Sequence, residues 1–309
     1  MILVPECKGV WCICIKFNKR VKFEKGFYIM YKQKVGMSIR NNYLLPTHEV
    51  VKMLKRIGFD AVSPEWKKNI DLTKVINEAR NCGLVVQSLH APYEQAAAMW
   101  SCDENVFMPA KMELLNALDD CKAWNIPIMV VHTWIGFEYD FNHSNLDFKN
   151  YDELVARAEE YNIKIAFENT EGEEYLFALM QHYKDNQTVG FCWDSGHEMC
   201  YNHSQDLLAK YGERLIMTHL NDNLGISRFD GQTYWTDDLH LLPYDGIADW
   251  DYNIERLKNS KHMEILNFEL NIKSKPNRHE NDVYAQMDLE LYFTEAYKRA
   301  CKIAYRYVR

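Results

Sequence analysis

Between residues 85 and 270 the chain repeats one arrangement six times: a short apolar run that ends in an acid or a histidine. The runs close on His90, His132, Glu168, Asp194, His219 and Glu269, as in Ile128-Met-Val-Val-His132, Ile165-Ala-Phe-Glu168 and Leu215-Ile-Met-Thr-His219. Apolar runs this short, separated by helix-like segments, read as buried parallel strands. Two more runs precede them, at 34–40 and 61–66. Eight strands alternating with helices predict an α/β fold, a single-domain (β/α)₈ TIM barrel. In such a barrel the C-terminal strand ends share one rim, and chemistry collects there.

The periodicity predicts helices near 47–57, 71–82, 109–124, 150–162, 173–183, 205–214, 249–258 and 288–307. Thr47 and Asp71 are expected caps, and Gly83 is an expected C-terminal stop. At 309 residues, 47% hydrophobic and 26% charged, the chain suits one barrel over 34–309 and needs no second domain. Residues 1–33 form an N-terminal extension. Its stretches Val10–Phe17 and Val21–Ile29 spell a hairpin cap across the barrel's N-terminal end, or a segment ahead of a start at Met30.

Net charge is −8, which argues against a nucleic-acid partner, because such affinity rests on Lys and Arg neutralising phosphates. No apolar run approaches the roughly 18 residues of a membrane span. The N-terminus lacks the order of a secretory signal, and nine scattered cysteines without a CxxC pair read as free thiols. A cytoplasmic protein is the expectation.

Glu168, Asp194, His219 and Glu269 supply three carboxylates and one imidazole from consecutive strands. Burying that many carboxylates together without a cation is unfavourable. The donor set suits one divalent metal, Mn²⁺, Mg²⁺ or Co²⁺, and can also hold Zn²⁺. No organic cofactor is expected.

The pieces Phe167-Glu168-Asn169, Trp193-Asp194-Ser-Gly-His197, Thr218-His219-Leu-Asn-Asp222 and Asp245-Gly246-Ile-Ala-Asp249-Trp250 resemble the xylose isomerase-like TIM-barrel superfamily. The resemblance covers roughly 34–305. It implies one divalent metal held by Glu168, Asp194, His219 and Glu269, and a sugar as small-molecule substrate. The reaction expected is isomerisation or epimerisation of a ketose or sugar phosphate through a metal-stabilised enediolate. Glu168 and Glu269 are then the acid–base pair and His197 polarises a substrate oxygen. His90, His132 and His240 hold hydroxyls, Asp238 orients His240, and Trp66 stacks at the mouth.

Two alternatives stay open. His90, His132, His197, Asp238 and His240 are similar to the remaining ligands of the superfamily's zinc AP endonucleases, which hold three zinc ions. A dehydratase or lyase could use the same scaffold. The rim's basic residues are few, chiefly Arg40, Lys67, Lys68 and Arg228, which disfavours DNA. One departure from the family pattern is Tyr244 in place of the first glycine of its Gly-acid-Gly turn. Pairing into a homo-oligomer is open.

Overall fold

The computed structural model describes residues 33–40, 43–142, 146–203, 205–227 and 234–309. The hairpin expected within 1–33, together with His143 and Arg228, lies outside the described residues. The strands are β1 (Lys34–Ile39), β2 (Ala61–Pro64), β3 in two pieces (Val85–Val86 and Leu89–His90), β4 (Ile128–His132), β5 (Lys164–Glu168), β6 (Val189–Asp194), β7 (Leu215–His219) and β8 (Ile265–Phe268). Every ladder is parallel. The first piece of β3 pairs β2 and the second pairs β4, so the sheet forms two arcs. Single bridges join the arcs, Glu65 to His90 and Leu220 to Phe268. The result is the expected α/β barrel, whose closed sheet has no free edge.

Side chains alternate across each strand. Phe167, Phe191 and Trp193 face outward into the main core with Tyr151, Leu176 and Leu179 of the surrounding helices. Each such burial contributes roughly 1.5–3 kcal/mol. Val130, Ala166, Cys192 and Met217 form a separate small cluster on the opposite, interior face. Two residues further along that same face stand His132, Glu168, Asp194 and His219. The apolar floor and the polar rim are therefore successive layers of one barrel interior.

The helices are α1 (Thr47–Ile57), α2 (Thr73–Asn81), α3 (Glu104–Ala123), α4 (Lys149–Tyr161), α5 (Glu173–His182), α6 (Ser195–Cys200), α7 (Leu207–Tyr211), α8 (Trp250–Lys258), α9 (Asp282–Ala285) and α10 (Leu289–Tyr307). Most lie within two residues of expectation, and Gly83 has φ +71° where a C-terminal stop was expected. Helix α3 starts five residues before the expected Pro109, because Asp103 caps it by accepting from Asn105 N. Helix α6 was not expected. It exists because Asp194, at the end of β6, accepts from the backbone N of His197 at 2.7 Å. No helix among the described residues is long and apolar enough to cross a membrane.

The rim loop after β7 is tied to one carboxylate. Asp222 is fully buried. Its Oδ1 accepts from Asn223 N and Ala248 N, and its Oδ2 from Tyr244 N and Trp250 Nε1, at 2.8–3.0 Å. A Cβ on Gly246 would lie 2.2 Å from Asp222 Oδ1 and 2.3 Å from Asn223 O, so only glycine lets the turn close on the acid. Tyr244, where the family pattern has glycine, has φ +74°. That backbone costs a non-glycine residue roughly 1–2 kcal/mol. The Lys302 ammonium 3.7 Å from its ring centroid and the nearby Trp250 indole offset part of it. Gly246→Ala should destabilise the barrel by about 1–3 kcal/mol. Urea unfolding should show a lower midpoint at unchanged slope; an unchanged midpoint would mean that the turn does not depend on this contact.

Candidate metal centre

Four strand ends converge on His219. Its Nδ1 lies 2.9 Å from Glu168 Oε1 and 2.9 Å from Glu269 Oε2. His90 Nε2 and His132 Nε2 each stand 3.4 Å from the other oxygen of Glu168. One donor atom from each of His90, Glu168, His219 and Glu269 lies within 4.8 Å of the others. All four residues are buried, and Glu168 Oε2 has no well-directed hydrogen bond. A buried carboxylate oxygen without a donor is costly, and a divalent cation removes that cost. The residues present therefore fit a metal.

Asp194, His197 and His240 make a second group within the same limit. Asp238 joins it, 2.9 Å from His240 Nε2 and 3.5 Å from His197 Nε2. The ladders explain why Asp194 stands apart from Glu168. Glu168 pairs with Cys192, while Asp194 pairs with His219. Asp194 is thus two residues further along its strand, about 6.6 Å at the usual rise. Its carboxylate also caps α6 and accepts from Asn221 Nδ2 at 3.0 and 2.9 Å. The four residues implied as one metal set are divided three and one between the two groups.

The rings are oriented from behind. Nδ1 of His90, His197 and His240 meets the carbonyls of Ala91, Asn169 and Glu269 at 2.8, 2.9 and 3.1 Å. A carbonyl only accepts, so each Nδ1 carries a hydrogen and each Nε2 faces the site. Metal-ligating histidines are usually held this way.

Burial raises the carboxyls of Glu168 and Glu269, but His219 and the other neighbouring cations together outweigh it at both. His132 adds to this at Glu168, and His240 and Arg40 add to it at Glu269. Both acids sit well below the usual carboxylate range. Burial also disfavours charged imidazoles. Even so, Asp194 and Asp238 hold His197 well above its ordinary value, and Cys192, Glu168 and Glu269 do the same for His219. The Asp194 carboxyl is raised by burial, which outweighs the opposing His197 and His240.

Above the two groups lies a cavity of about 160 Å³ lined by Arg40, His90, Tyr93, His132, Ile135, Glu171, His197, Tyr201, Trp235, Asp238, His240, Glu269 and Lys275. Trp66, expected at this mouth, is absent from the lining. Its indole is buried and donates to Asp120 of α3 at 2.7 Å. Lys67 and Lys68 pair with Glu65 and Glu113. Tyr93, Tyr201, Trp235 and Lys275 were not singled out as site residues. Tyr93, three residues past His90, carried a positional signal; Lys275 carried none.

Residues 51–289 match the family described as Xylose isomerase-like TIM barrel. The chain is 32% identical over 171 residues to Uncharacterized protein y4fM of Sinorhizobium fredii (strain NBRC 101917 / NGR234), covering 51% of this chain. It spans about half the length of that curated relative, 52%. Among solved structures, IolI protein with a bound zinc atom superposes with a TM-score of 0.67 at 16% identity, over 88% of this chain and 98% of that one. D-psicose 3-epimerase with D-tagatose from Clostridium cellulolyticum H10 gives 0.65 at 13%, over 87% and 98%. An L-ribulose 3-epimerase gives 0.67 at 10%, over 89% and 96%. At these identities the likeness to the solved structures is one of fold.

Metal uptake by this centre should displace protons. The raised imidazoles of His197 and His219 are charged near pH 7 in the metal-free protein, and ligation requires them neutral. Groups raised on folding stabilise below their ordinary value, about 6.5 for histidine, and lose that stability as pH rises through the folded value. Chelated protein should therefore melt lower as pH climbs above about 6.5, and its lowered carboxylates should cost it stability again below about pH 4. Saturating metal should restore about 2.7 kcal/mol at a free concentration about 100 times Kd. Calorimetric titration in two buffers of different ionisation heat measures the protons. Uptake with no proton release would contradict this picture.

Proposed function

The chain belongs to the xylose isomerase-like TIM-barrel family, and from that premise we propose that it is a divalent-metal-dependent isomerase or epimerase of a ketose or sugar phosphate. The observation that carries this reading is the pair of 2.9 Å contacts that bring both Glu168 and Glu269 to the His219 Nδ1 atom. Glu168, Asp194, His219 and Glu269 would hold the metal, with His90 beside them. When bound, it supplies positive charge that polarises a carbonyl and the neighbouring hydroxyl.

Glu168 offers Oε2, the oxygen without a well-directed hydrogen bond, as the base that removes the proton from the hydroxyl-bearing carbon next to the carbonyl. Glu269 would serve as the second acid–base group. Arg40 Nη2 holds its Oε1 at 3.2 Å, which fixes the carboxylate that returns a proton. Return to the opposite face of the same carbon gives an epimer, and return to the adjacent carbon gives the isomer. Each positioned acid or base contributes about 10²–10⁴-fold. His197 directs Nε2 to a substrate oxygen. His90, His132 and His240 hold hydroxyls, with Asp238 orienting His240. Ile135, Tyr93, Tyr201 and Trp235 line the cavity and limit water. A cavity of about 160 Å³ supports a small substrate over a duplex. The neighbouring sugar epimerase structures support the substrate class.

A second reading rests on the second ligand group. His90 and His132 flank Glu168 Oε2, and Asp238 lies between His197 and His240, so nine donors fall into adjoining subsets. That pattern supports a multinuclear zinc phosphodiesterase. Metal counts separate the two: one ion per chain for the sugar enzyme, three for the phosphodiesterase. Glu168→Gln and Glu269→Gln should each lower kcat on a ketose by about 10²–10⁴-fold while circular dichroism stays unchanged. A near-normal rate in either variant would sink the two-glutamate assignment.

A further inference from the structure

The second ligand group has a cation of its own. Lys275 Nζ lies 3.3 Å from Asp238 Oδ2, and the side chain is only 20% exposed. The same carboxylate meets His240 Nε2 at 2.9 Å, and Asp238 Oδ1 has no well-directed hydrogen bond. Asp238 is itself 8% exposed. We infer that the Lys275 ammonium is a tethered cation that takes the place of a second metal ion at His197, Asp238 and His240, and so keeps the centre mononuclear. This inference rests on the one-metal part of the proposed function.

A metal ligated by Asp238 would stand about 2.1 Å from a carboxylate oxygen. Through Oδ2, that puts a divalent charge no more than about 5.4 Å from the ammonium, the sum of this distance and the observed 3.3 Å. Like charges this close in a buried site repel strongly. The backbone at Lys275 is held, its carbonyl accepting from Arg278 N at 3.0 Å. Ser274 Oγ accepts from Asn281 N at 3.0 Å and donates to Asp282 at 2.7 Å, while Pro276 fixes the following φ. The ammonium also lies 5.5 Å from the centre of the Trp235 ring.

Arg40 differs. It takes Oε1 of Glu269 from the side away from His219, braced by Asn271 Oδ1 at 2.8 Å, and leaves Oε2 to the first group. Both acids keep an inward oxygen, Glu269 Oε2 and Asp238 Oδ1. The groups differ in that the first has Glu168 besides Glu269 to meet a divalent charge, whereas Asp238, with Asp194 given to the first metal, is shared with the ammonium.

The test is zinc content per folded chain after loading and gel filtration, for the full-length wild type, Lys275→Met, Lys275→Gln and the charge-retaining Lys275→Arg. Wild type and Lys275→Arg should hold one zinc. Lys275→Met and Lys275→Gln should hold a second, bound at least 10-fold more tightly than any second ion in wild type. Adding Asp238→Asn to Lys275→Met should remove it. Two or three ions in the wild type, or no gain in either neutral variant, would overturn the inference. Ketose turnover is read separately. One zinc rising to two with no turnover would keep the tethered cation and remove the sugar reading, while turnover with no gain in zinc would do the reverse.

Discussion

Glu168 is a carboxylate with no water-facing surface, set at the end of a strand inside a closed sheet. Its Oε1 meets His219 and its Oε2 faces His90 and His132 without a well-directed hydrogen bond. Such a group is tolerable only if positive charge is brought to it. Much of the rim follows from that need. Histidines come from β3, β4 and β7, the His90 ring is steered by the Ala91 carbonyl, and the donor set is one that a divalent cation completes.

The rim can be acidic because the layers beneath and around it are not. Val130, Ala166, Cys192 and Met217 fill the barrel directly below the ligands. Outside, the aromatic residues of β5 and β6 lock the strands to their helices. The loop that brings Asp238 and His240 over the site is long, and Asp222 organises it by accepting four N–H groups. The positive φ of Tyr244 is a local cost carried by that closure.

The two ligand groups share one rim but differ in how their charge is balanced. The first keeps an open inner face. The second contains the cap of α6, a bond to Asn221 and an ammonium on its outer acid. A chain can therefore carry the residue types of a multinuclear centre in two groups whose charge is balanced differently. Residue type alone does not distinguish the two; on the tethered-cation proposal the position of Lys275 does.

The sequence by itself determined the barrel and which residues reach its rim. Period-two alternation puts His132, Glu168, Asp194 and His219 on the same face as the interior apolar residues two positions earlier, and short strands end where those residues stand. It determined the Gly246–Trp250 turn as a motif, though not that Asp222 is its hub. The tertiary structure decided the grouping. Ladder register sets Glu168 level with Cys192 and carries Asp194 past it, and a single sequence contains no register between strands. The structure also turned Trp66 away to Asp120 and brought Lys275 onto Asp238, 37 residues apart. Those contacts depend on how loops pack across the barrel mouth, where no hydrophobic period constrains the chain and only the folded surface says which side chains meet.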